Sequence, residues 1–317
     1  MTDTQKEVFK TPVNKIRLFE HGAPGSQNLK LTRKYYTEDM PDGRVKHIVQ
    51  NITDPDIVPY IPDGIGNSTD RQRIPAVLII PGGAFRRLVY NFEGEDVAKW
   101  LNSMGIAAFV LECRLPSDEH DNAEDVPLID AMRAMRVIRG RAQEFGIDEA
   151  KIGVMGFSAG GFMAALLSTA YESDVYADYK YTVEYDKISA RPDFAVCSYP
   201  VISIDDCIEA GKRYMSEEQV LERISDRKAK ILHKYNPDKL VRPDMPPVFI
   251  CETDDDRTTL SENSVGFYMA ARKAGVSAEL HIFRTGGHGY GCGDDFAQTG
   301  EWKVLFTKWI KSIGIIS

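Results

Sequence analysis

Three residues far apart in the chain could together form a hydrolytic relay. They are Ser158 in Gly156-Phe157-Ser158-Ala159-Gly160, an aspartate within Asp254-Asp255-Asp256, and His288 between Gly287 and Gly289. A serine hydroxyl becomes a useful nucleophile when an adjacent base takes its proton. Imidazole titrates near neutrality and suits that task, and a buried carboxylate fixes its tautomer and stabilises the imidazolium that forms. Acyl transfer also needs donors aimed at the developing oxyanion. The amide of Ala159, at a helix N-terminus, is one candidate, and Gly83 or Ala84 in Pro81-Gly82-Gly83-Ala84-Phe85 is the other.

Gly-x-Ser-x-Gly alone is a weak signal in a chain with 25 glycines, and an ordinary serine in a glycine-rich turn competes with it. Context separates the two. The apolar run Ile152–Met155 leads into the motif and a small-residue helix, Phe162–Leu167, leaves it. That is the form of a nucleophile elbow, whose turn strains the backbone at the serine. Residues two before and two after must then be small, because a Cβ would strike a neighbouring strand or helix. A plain β-to-α turn at 81–85, or a solvated acidic loop at 254–256, explains each piece singly. The order Ser, Asp, His, each just past a predicted strand, is explained by neither.

The elements that must position these residues follow from periodicity. Residues 75–80 are continuously apolar and read as a buried parallel strand. Further strands are expected at 106–112, before the elbow, at 193–201, 247–252 and 278–283. Helices are expected at 93–104, 127–145, 216–233, 261–274 and 299–313. This alternation predicts an α/β fold with a mostly parallel sheet and helices on both faces, with ligands binding beyond the carboxyl ends of the strands. Residues 1–40 are polar and mixed. Strands are expected at 45–52 and 56–62, the second at a sheet edge because of its prolines. With no internal repeat or low-complexity linker, a single domain over 1–317 is expected, with 1–74 contributing strands and an extension.

Composition bounds the function. A net charge of −8 without a Lys/Arg cluster argues against a nucleic-acid surface. No apolar run reaches membrane-spanning length. The N-terminal residues lack an apolar signal segment, and the five cysteines form an odd set, so a reducing, cytoplasmic setting is expected. Cys113, Cys197 and Cys251 read as core, whereas Cys292 fits a pocket wall as well as a free core or rim thiol. No Cys/His spacing suits zinc, and the relay needs no metal or organic cofactor. His21, His47 and His120 read as surface histidines, and Trp100, Trp302 and Trp309 as core.

Several longer runs carry a resemblance. They are Pro81–Phe85, Glu93–Leu101, Gly153–Gly161, Arg191–Phe194, Glu279–Phe283 and Gly286–Gly289. On these, the chain resembles the α/β-hydrolase esterases that include bacterial acetylxylan esterases and related sugar-acetyl esterases, over most of its length. The resemblance implies the α/β-hydrolase fold and a triad of Ser158, Asp256 and His288. Asn263-Ser264 sets the register that puts Thr259 at the β-branched position and Asp256 at the acid, with Asp255 the runner-up. It implies an oxyanion hole at Gly83, Ala84 and Ala159, and removal of acetyl groups from xylan fragments or other acetylated sugars.

Three departures mark this chain. Ala84-Phe85 stand where the oxyanion turn usually reads Gly-Tyr, Phe162 replaces a histidine common after the elbow, and 204–246 diverges. That divergent segment is expected to form a helical cap-like insertion shaping substrate choice. Its Lys212, Arg213, Arg223 and Lys228 read as a solvated charged face. The expected partner is a small ester or acetylated oligosaccharide, with a general short-chain carboxylesterase as the alternative. A peptidase of the prolyl-oligopeptidase kind lacks room for its propeller before residue 75, and a non-catalytic binding protein would usually have lost a triad member.

Overall fold

The computed structural model describes residues 9, 13–65, 73–179, 183–213, 216, 218–220, 230–293 and 298–317. Its centre is an eight-stranded sheet. In chain order the strands of the molecule are β1 (Ile16–Arg17), β2 (Lys34–Asp39), β3 (Val45–Gln50), β4 (Asp56–Tyr60), β5 (Ile74–Ile80), β6 (Leu88–Val89), β7 (Ala107–Glu112), β8 (Ile147–Phe157), β9 (Ala195–Ser198), β10 (Val248–Thr253) and β11 (Ala278–Phe283). The main sheet runs β1-β4-β7-β5-β8-β9-β10-β11, and β2-β3-β6 form a small antiparallel sheet. From β7 to β11 every pairing is parallel, while β1 and β4 add antiparallel at one side.

The inner parallel strands β5, β7, β9 and β10 are almost wholly buried because helices cover both faces. The helices are α1 (Asp96–Ser103), α2 (Val126–Gly140), α3 (Ala142–Phe145), α4 (Ala159–Ala170), α5 (Val183–Asp186), α6 (Ile204–Lys212), α7 (Lys230–Lys234), α8 (Ser261–Lys273) and α9 (Trp302–Ser312). Alternate residues of β8 show the two layers. Phe157 reaches Trp302 of α9, with ring centroids 6.4 Å apart, whereas a Cβ on Gly156 would meet the Gly160 carbonyl of α4. Trp100 of α1 packs edge-on to Trp302 at 4.9 Å, joining α1 and α9 in one layer. Leu78, Val154, Met155 and Phe249 are fully buried, and each such side chain contributes roughly 1.5–3 kcal/mol by leaving water.

Several sequence expectations need correction. The strand around 56–60 is not at the sheet edge, since β1 pairs outside it at Asp56 and Ile57. Pro59 lies beyond that two-residue pairing, so its missing N–H costs no ladder bond there. The polar strand β2 was not anticipated, because Lys34-Tyr35-Tyr36-Thr37-Glu38-Asp39 is half-exposed and lacks an apolar face. The helix expected over 127–145 breaks at Arg141 into α2 and α3. The strand expected over 193–201 is confined to β9. Most of the helix expected over 216–233, with Arg223 and Lys228, lies outside the described residues. Among the described residues no helix is long and apolar enough to cross a membrane.

Candidate active site

Parallel pairing sends the loops after β5, β8, β10 and β11 to the same side of the sheet. Register puts Ile80 opposite Gly156 and Thr253 opposite Phe283, so these loops start level with one another. Ser158 follows β8 directly with φ 53° and ψ −119°, a conformation an L-residue rarely adopts. The flanking glycines are required sterically. A Cβ on Gly156 would sit 1.9 Å from the Gly160 carbonyl oxygen, and one on Gly160 would sit 1.9 Å from that of Ile80. The serine therefore stands at the rim, 8% exposed, at the N-terminus of α4.

The three residues meet there. Ser158 Oγ lies 2.8 Å from His288 Nε2, and His288 Nδ1 lies 2.6 Å from Asp256 Oδ2. Asp256 is well held. Its Oδ1 accepts the N–H groups of Thr258 at 2.7 Å and Thr259 at 3.0 Å, and its Oδ2 accepts the Thr259 hydroxyl at 2.9 Å. Burial pushes this carboxyl upward, but the hydrogen bond and charge of His288, with the Thr259 and Thr258 amides, outweigh that and keep it below the ordinary range. Asp255 does different work. Its Oδ1 accepts the N–H groups of Gly286 at 2.9 Å and Gly287 at 2.8 Å, which secures the loop that presents His288.

Asn263 and Ser264 have physical jobs as well. The Asn263 side-chain oxygen accepts the N–H groups of Ile202 and Ser203, at 2.9 and 3.0 Å, and fixes the chain where it leaves β9 toward α6. Ser264 donates to Glu252, a fully buried acid at the end of β10. Burial, reinforced by the charge of Asp256, pushes Glu252 well above the ordinary glutamate value.

The turn after β5 crosses in front of the serine. The Gly82 N–H is taken by Glu93 at 2.8 Å and its carbonyl by the Val89 N–H at 2.9 Å. Gly82 is thereby removed from the set of oxyanion donors, while Gly83, Ala84 and Ala159 remain the candidates. Ala84 and Phe85 both have positive φ, 57° and 59°. Among the described residues six non-glycines have positive φ, and four of them (Ala84, Phe85, Ser158 and Tyr199) surround this site. Such strain persists only where neighbours over-determine it. Here the Gly83 carbonyl accepts from Arg86 and Arg87, and the buried Phe85 ring packs edge-on to Phe162 at 5.5 Å. Beside the turn lies a small recess walled by Gly82, Phe85, Leu88, Leu115, Ala159 and Met163.

Sequence reasoning missed two residues here. Glu93, on a π-helical turn over Asn91–Glu95, is buried and touches both Gly82 and the Tyr199 hydroxyl. Burial raises it above the ordinary glutamate value, against the opposing charge of His288 and its bonds from Tyr199 and Gly82. Tyr199 is buried with its ring edge-on to the His288 imidazole, centroids 5.0 Å apart. A π-turn often marks a functional place, but it does not reveal a partner 106 residues away. His120 is also misread as a surface residue. It is 6% exposed, and its Nδ1 lies 3.0 Å from Ser26 Oγ. Cys113, Cys197, Cys251 and Cys292 are buried free thiols.

Comparison with known proteins adds to this geometry. The chain matches the BD-FAE family over residues 65–270, a span that holds Ser158 and Asp256 and stops before His288. An acetylxylan esterase of Xylanibacter ruminicola is 31% identical over 240 residues, 75% of this chain and 45% of that protein. The chain spans less than half the length of the curated relatives it matches. Among solved structures, an acetyl ester-xyloside bifunctional hydrolase from Caldicellulosiruptor lactoaceticus is 35% identical, with 96% of this chain and 97% of that one aligned and a TM-score of 0.70. The esterase Est2 of Thermogutta terrifontis, with butyrate bound, is 26% identical over 84% of this chain and 92% of its own, with a TM-score of 0.65. The sheet and its helices are those of the α/β-hydrolase fold.

Proposed function

The chain belongs to the BD-FAE family, and from that membership we propose that it is a serine carboxylic-ester hydrolase that removes short acyl groups, acetyl above all, from acetylated xylo-oligosaccharides or other sugars. The observation that carries this reading is the continuous path from Asp256 through His288 to Ser158, at 2.6 and 2.8 Å. His288 Nε2 takes the hydroxyl proton as Ser158 Oγ bonds to the ester carbon. Asp256 holds the other ring nitrogen and stabilises the imidazolium. The carbonyl oxygen becomes an oxyanion facing the amides of Ala159 and of Gly83 or Ala84. Collapse breaks the bond to the sugar oxygen, which leaves with the proton from His288. A water then attacks the acyl-serine by the same route, releasing acetate and restoring the Ser158 hydroxyl.

The small recess beside Gly82 and Ala159, walled by Phe85, Leu115 and Met163, supports a small acyl group. The segment 204–246, whose described part includes α6 and α7, is proposed as a cap-like insertion of a single domain. The buried free thiols suit a reducing interior, so action inside the cell on imported fragments is part of the proposal. Cell fractionation tests that part, and most activity outside the cell would overturn it.

The central test is an activity panel of acetyl, butyryl and octanoyl esters beside acetylated xylo-oligosaccharides. Acetyl preference is expected, with Ser158→Ala reducing kcat at least ~10³-fold, the scale of losing a triad member. Preference for octanoyl esters would remove the sugar-acetyl reading and leave an esterase. Butyryl equal to acetyl on simple esters, with no activity on the sugars, would leave a general short-chain carboxylesterase, a reading that the butyrate-bound neighbour favours.

A further inference from the structure

The run Glu93-Gly94-Glu95 has so far no part in the chemistry, yet Glu93 touches both halves of the site. Its Oε2 accepts the Gly82 N–H at 2.8 Å, in the turn that carries Gly83 and Ala84. Gly82 sits hard against the nucleophile, since a Cβ there would come 2.9 Å from Ser158 Cβ and 2.5 Å from the Phe157 carbonyl oxygen. Glu93 Oε1 accepts the Tyr199 hydroxyl at 2.9 Å. That phenol oxygen in turn accepts the Gly291 N–H at 3.1 Å, three residues past His288, and the Tyr199 ring lies edge-on to the imidazole. Tyr199 is held with φ 37°, and its N–H donates to the Cys251 carbonyl at 2.7 Å, so the ring has little freedom.

We propose that Glu93 is a positioning residue that sets the spacing between the oxyanion turn and the histidine loop, by bonding Gly82 directly and Gly291 through Tyr199. The proposal rests on the reading of Ser158 as the nucleophile. If it holds, losing Glu93 leaves substrate binding in place and misaligns the amides that act on the oxyanion. A displacement of about 1 Å in such a group costs roughly 10²-fold in rate. The effect belongs in kcat rather than KM, because the oxyanion exists only in the transition state and the intermediates.

The test compares wild type with Glu93→Ala, Glu93→Gln and Tyr199→Phe on p-nitrophenyl acetate, with melting temperature recorded for each. Expected are a kcat ~10²-fold lower for Glu93→Ala, with KM within ~3-fold, and a loss of ~10-fold for Tyr199→Phe, which keeps the bond to Gly82. Glu93→Gln should recover at least ~10-fold of the alanine loss, because its carbonyl can accept from Gly82 while its amide donates to the tyrosine oxygen. The double variant Glu93→Ala/Tyr199→Phe should be no slower than Glu93→Ala, since both cut one linkage. The rate at which an organophosphonate labels Ser158 should fall with kcat, because that adduct also places an oxygen in the hole. If Glu93→Ala does not fold, the kcat and labelling rates of Glu93→Gln and Tyr199→Phe decide alone, and values within ~3-fold of wild type for both overturn the proposal. A folded Glu93→Ala with kcat within ~3-fold of wild type, or a loss confined to KM, also overturns it. In both cases Ser158-dependent activity in the wild type remains, so the functional reading stands. Wild type that hydrolyses no ester through Ser158 overturns both.

Discussion

Two buried polar regions of this molecule handle acidic side chains in opposite ways. Near the sheet margin, Glu112 at the end of β7 is fully buried among cations, with Lys15 at 2.7 Å and Arg33 at 2.7 Å. Asp56 joins them through Arg33 at 2.8 Å, and the Tyr35 hydroxyl completes the cluster at 3.0 Å. At the rim of the parallel strands, Glu93 and Glu252 are just as buried, but their hydrogen bonds come from amides and hydroxyls. The first arrangement pins N-terminal segments to the sheet by charge. The second fixes loop geometry with dipoles. A fixed cation near His288 would oppose the imidazolium of the proposed reaction. Pairing with Lys and Arg therefore holds the scaffold, dipolar hydrogen bonds hold the rim glutamates, and Asp256 with His288 is the charged pair of the candidate site.

The sharpest way to break this comparison is at the acid loop, where two adjacent aspartates differ in kind. In the proposed mechanism Asp256→Asn removes the carboxylate that orients and stabilises the imidazolium, and kcat should fall by roughly 10³- to 10⁴-fold. Asp255→Asn retains an oxygen that can accept from Gly286 and Gly287, and its loss should stay within ~10-fold. Steady-state kinetics of the two variants check this, and equal losses would dissolve the distinction between a relay carboxylate and a loop anchor. Next in size is Glu112→Gln. Removing one member of a buried ion cluster leaves Lys15 and Arg33 undercompensated, at a cost of roughly 3 kcal/mol in unfolding free energy. Urea denaturation measures this, and kcat of the folded variant should stay within ~2-fold of wild type.

Stability against pH separates the regions further. Glu252 is pushed up by burial, so above the ordinary glutamate value the native protein keeps a proton that the unfolded chain has released. Stability from this group is therefore present at low pH and falls as pH rises toward the elevated folded value, by up to about 1.4 kcal/mol per pH unit. Asp256 has the opposite sign. Its depressed folded value contributes stability above the ordinary aspartate range, and this is lost as pH falls through the folded one. Glu252→Gln should flatten the neutral side of the profile and leave the acid side intact, as read from urea midpoints across pH 3 to 8. An unchanged slope would mean that another acid, Glu93 first among them, governs that limb.

How much of this was legible in the residues depends on the range of the interactions. The parallel strands were plain because residues such as 75–80 are apolar without interruption, a pattern that only two-sided burial produces. Ser158 and His288 could be read because glycines flank them, at Gly156 and Gly160 for lack of space and at Gly287 and Gly289 with positive φ. Asp256 needed a register argument from Asn263, and the structure supplies its physical content in the bonds from Thr258 and Thr259. The links that join the loops were not legible. Tyr199 to Glu93, Asn263 to Ile202 and Lys15 to Glu112 all span tens of residues, and each looks locally like an ordinary polar side chain. The β2 strand was hidden for a related reason, since half-exposed polar residues form a strand only through partners elsewhere in the chain.

The smallest expected effect tests where the site keeps its strain. Ala84 occupies a left-handed conformation at φ 57°, which costs an L-residue roughly 1–2 kcal/mol and a glycine almost nothing. Ala84→Gly relieves that cost but also loosens the unfolded chain, which takes back about 0.4–1 kcal/mol. The net expectation is a gain of up to ~1 kcal/mol, seen as a rise of up to roughly 1.5 °C in melting temperature for a chain of 317 residues. The same change frees a turn whose amides must be aimed, so kcat should fall, by ~3-fold or less. The turn is held from both sides, by Arg86 and Arg87 on Gly83 and by the Ser117 N–H on the Phe85 carbonyl. Higher stability with slightly lower kcat would show that the strain at Ala84 serves to aim its amide. A lower melting temperature would mean that the methyl group is itself part of the packing, and would shift the functional strain to Phe85, Ser158 and Tyr199.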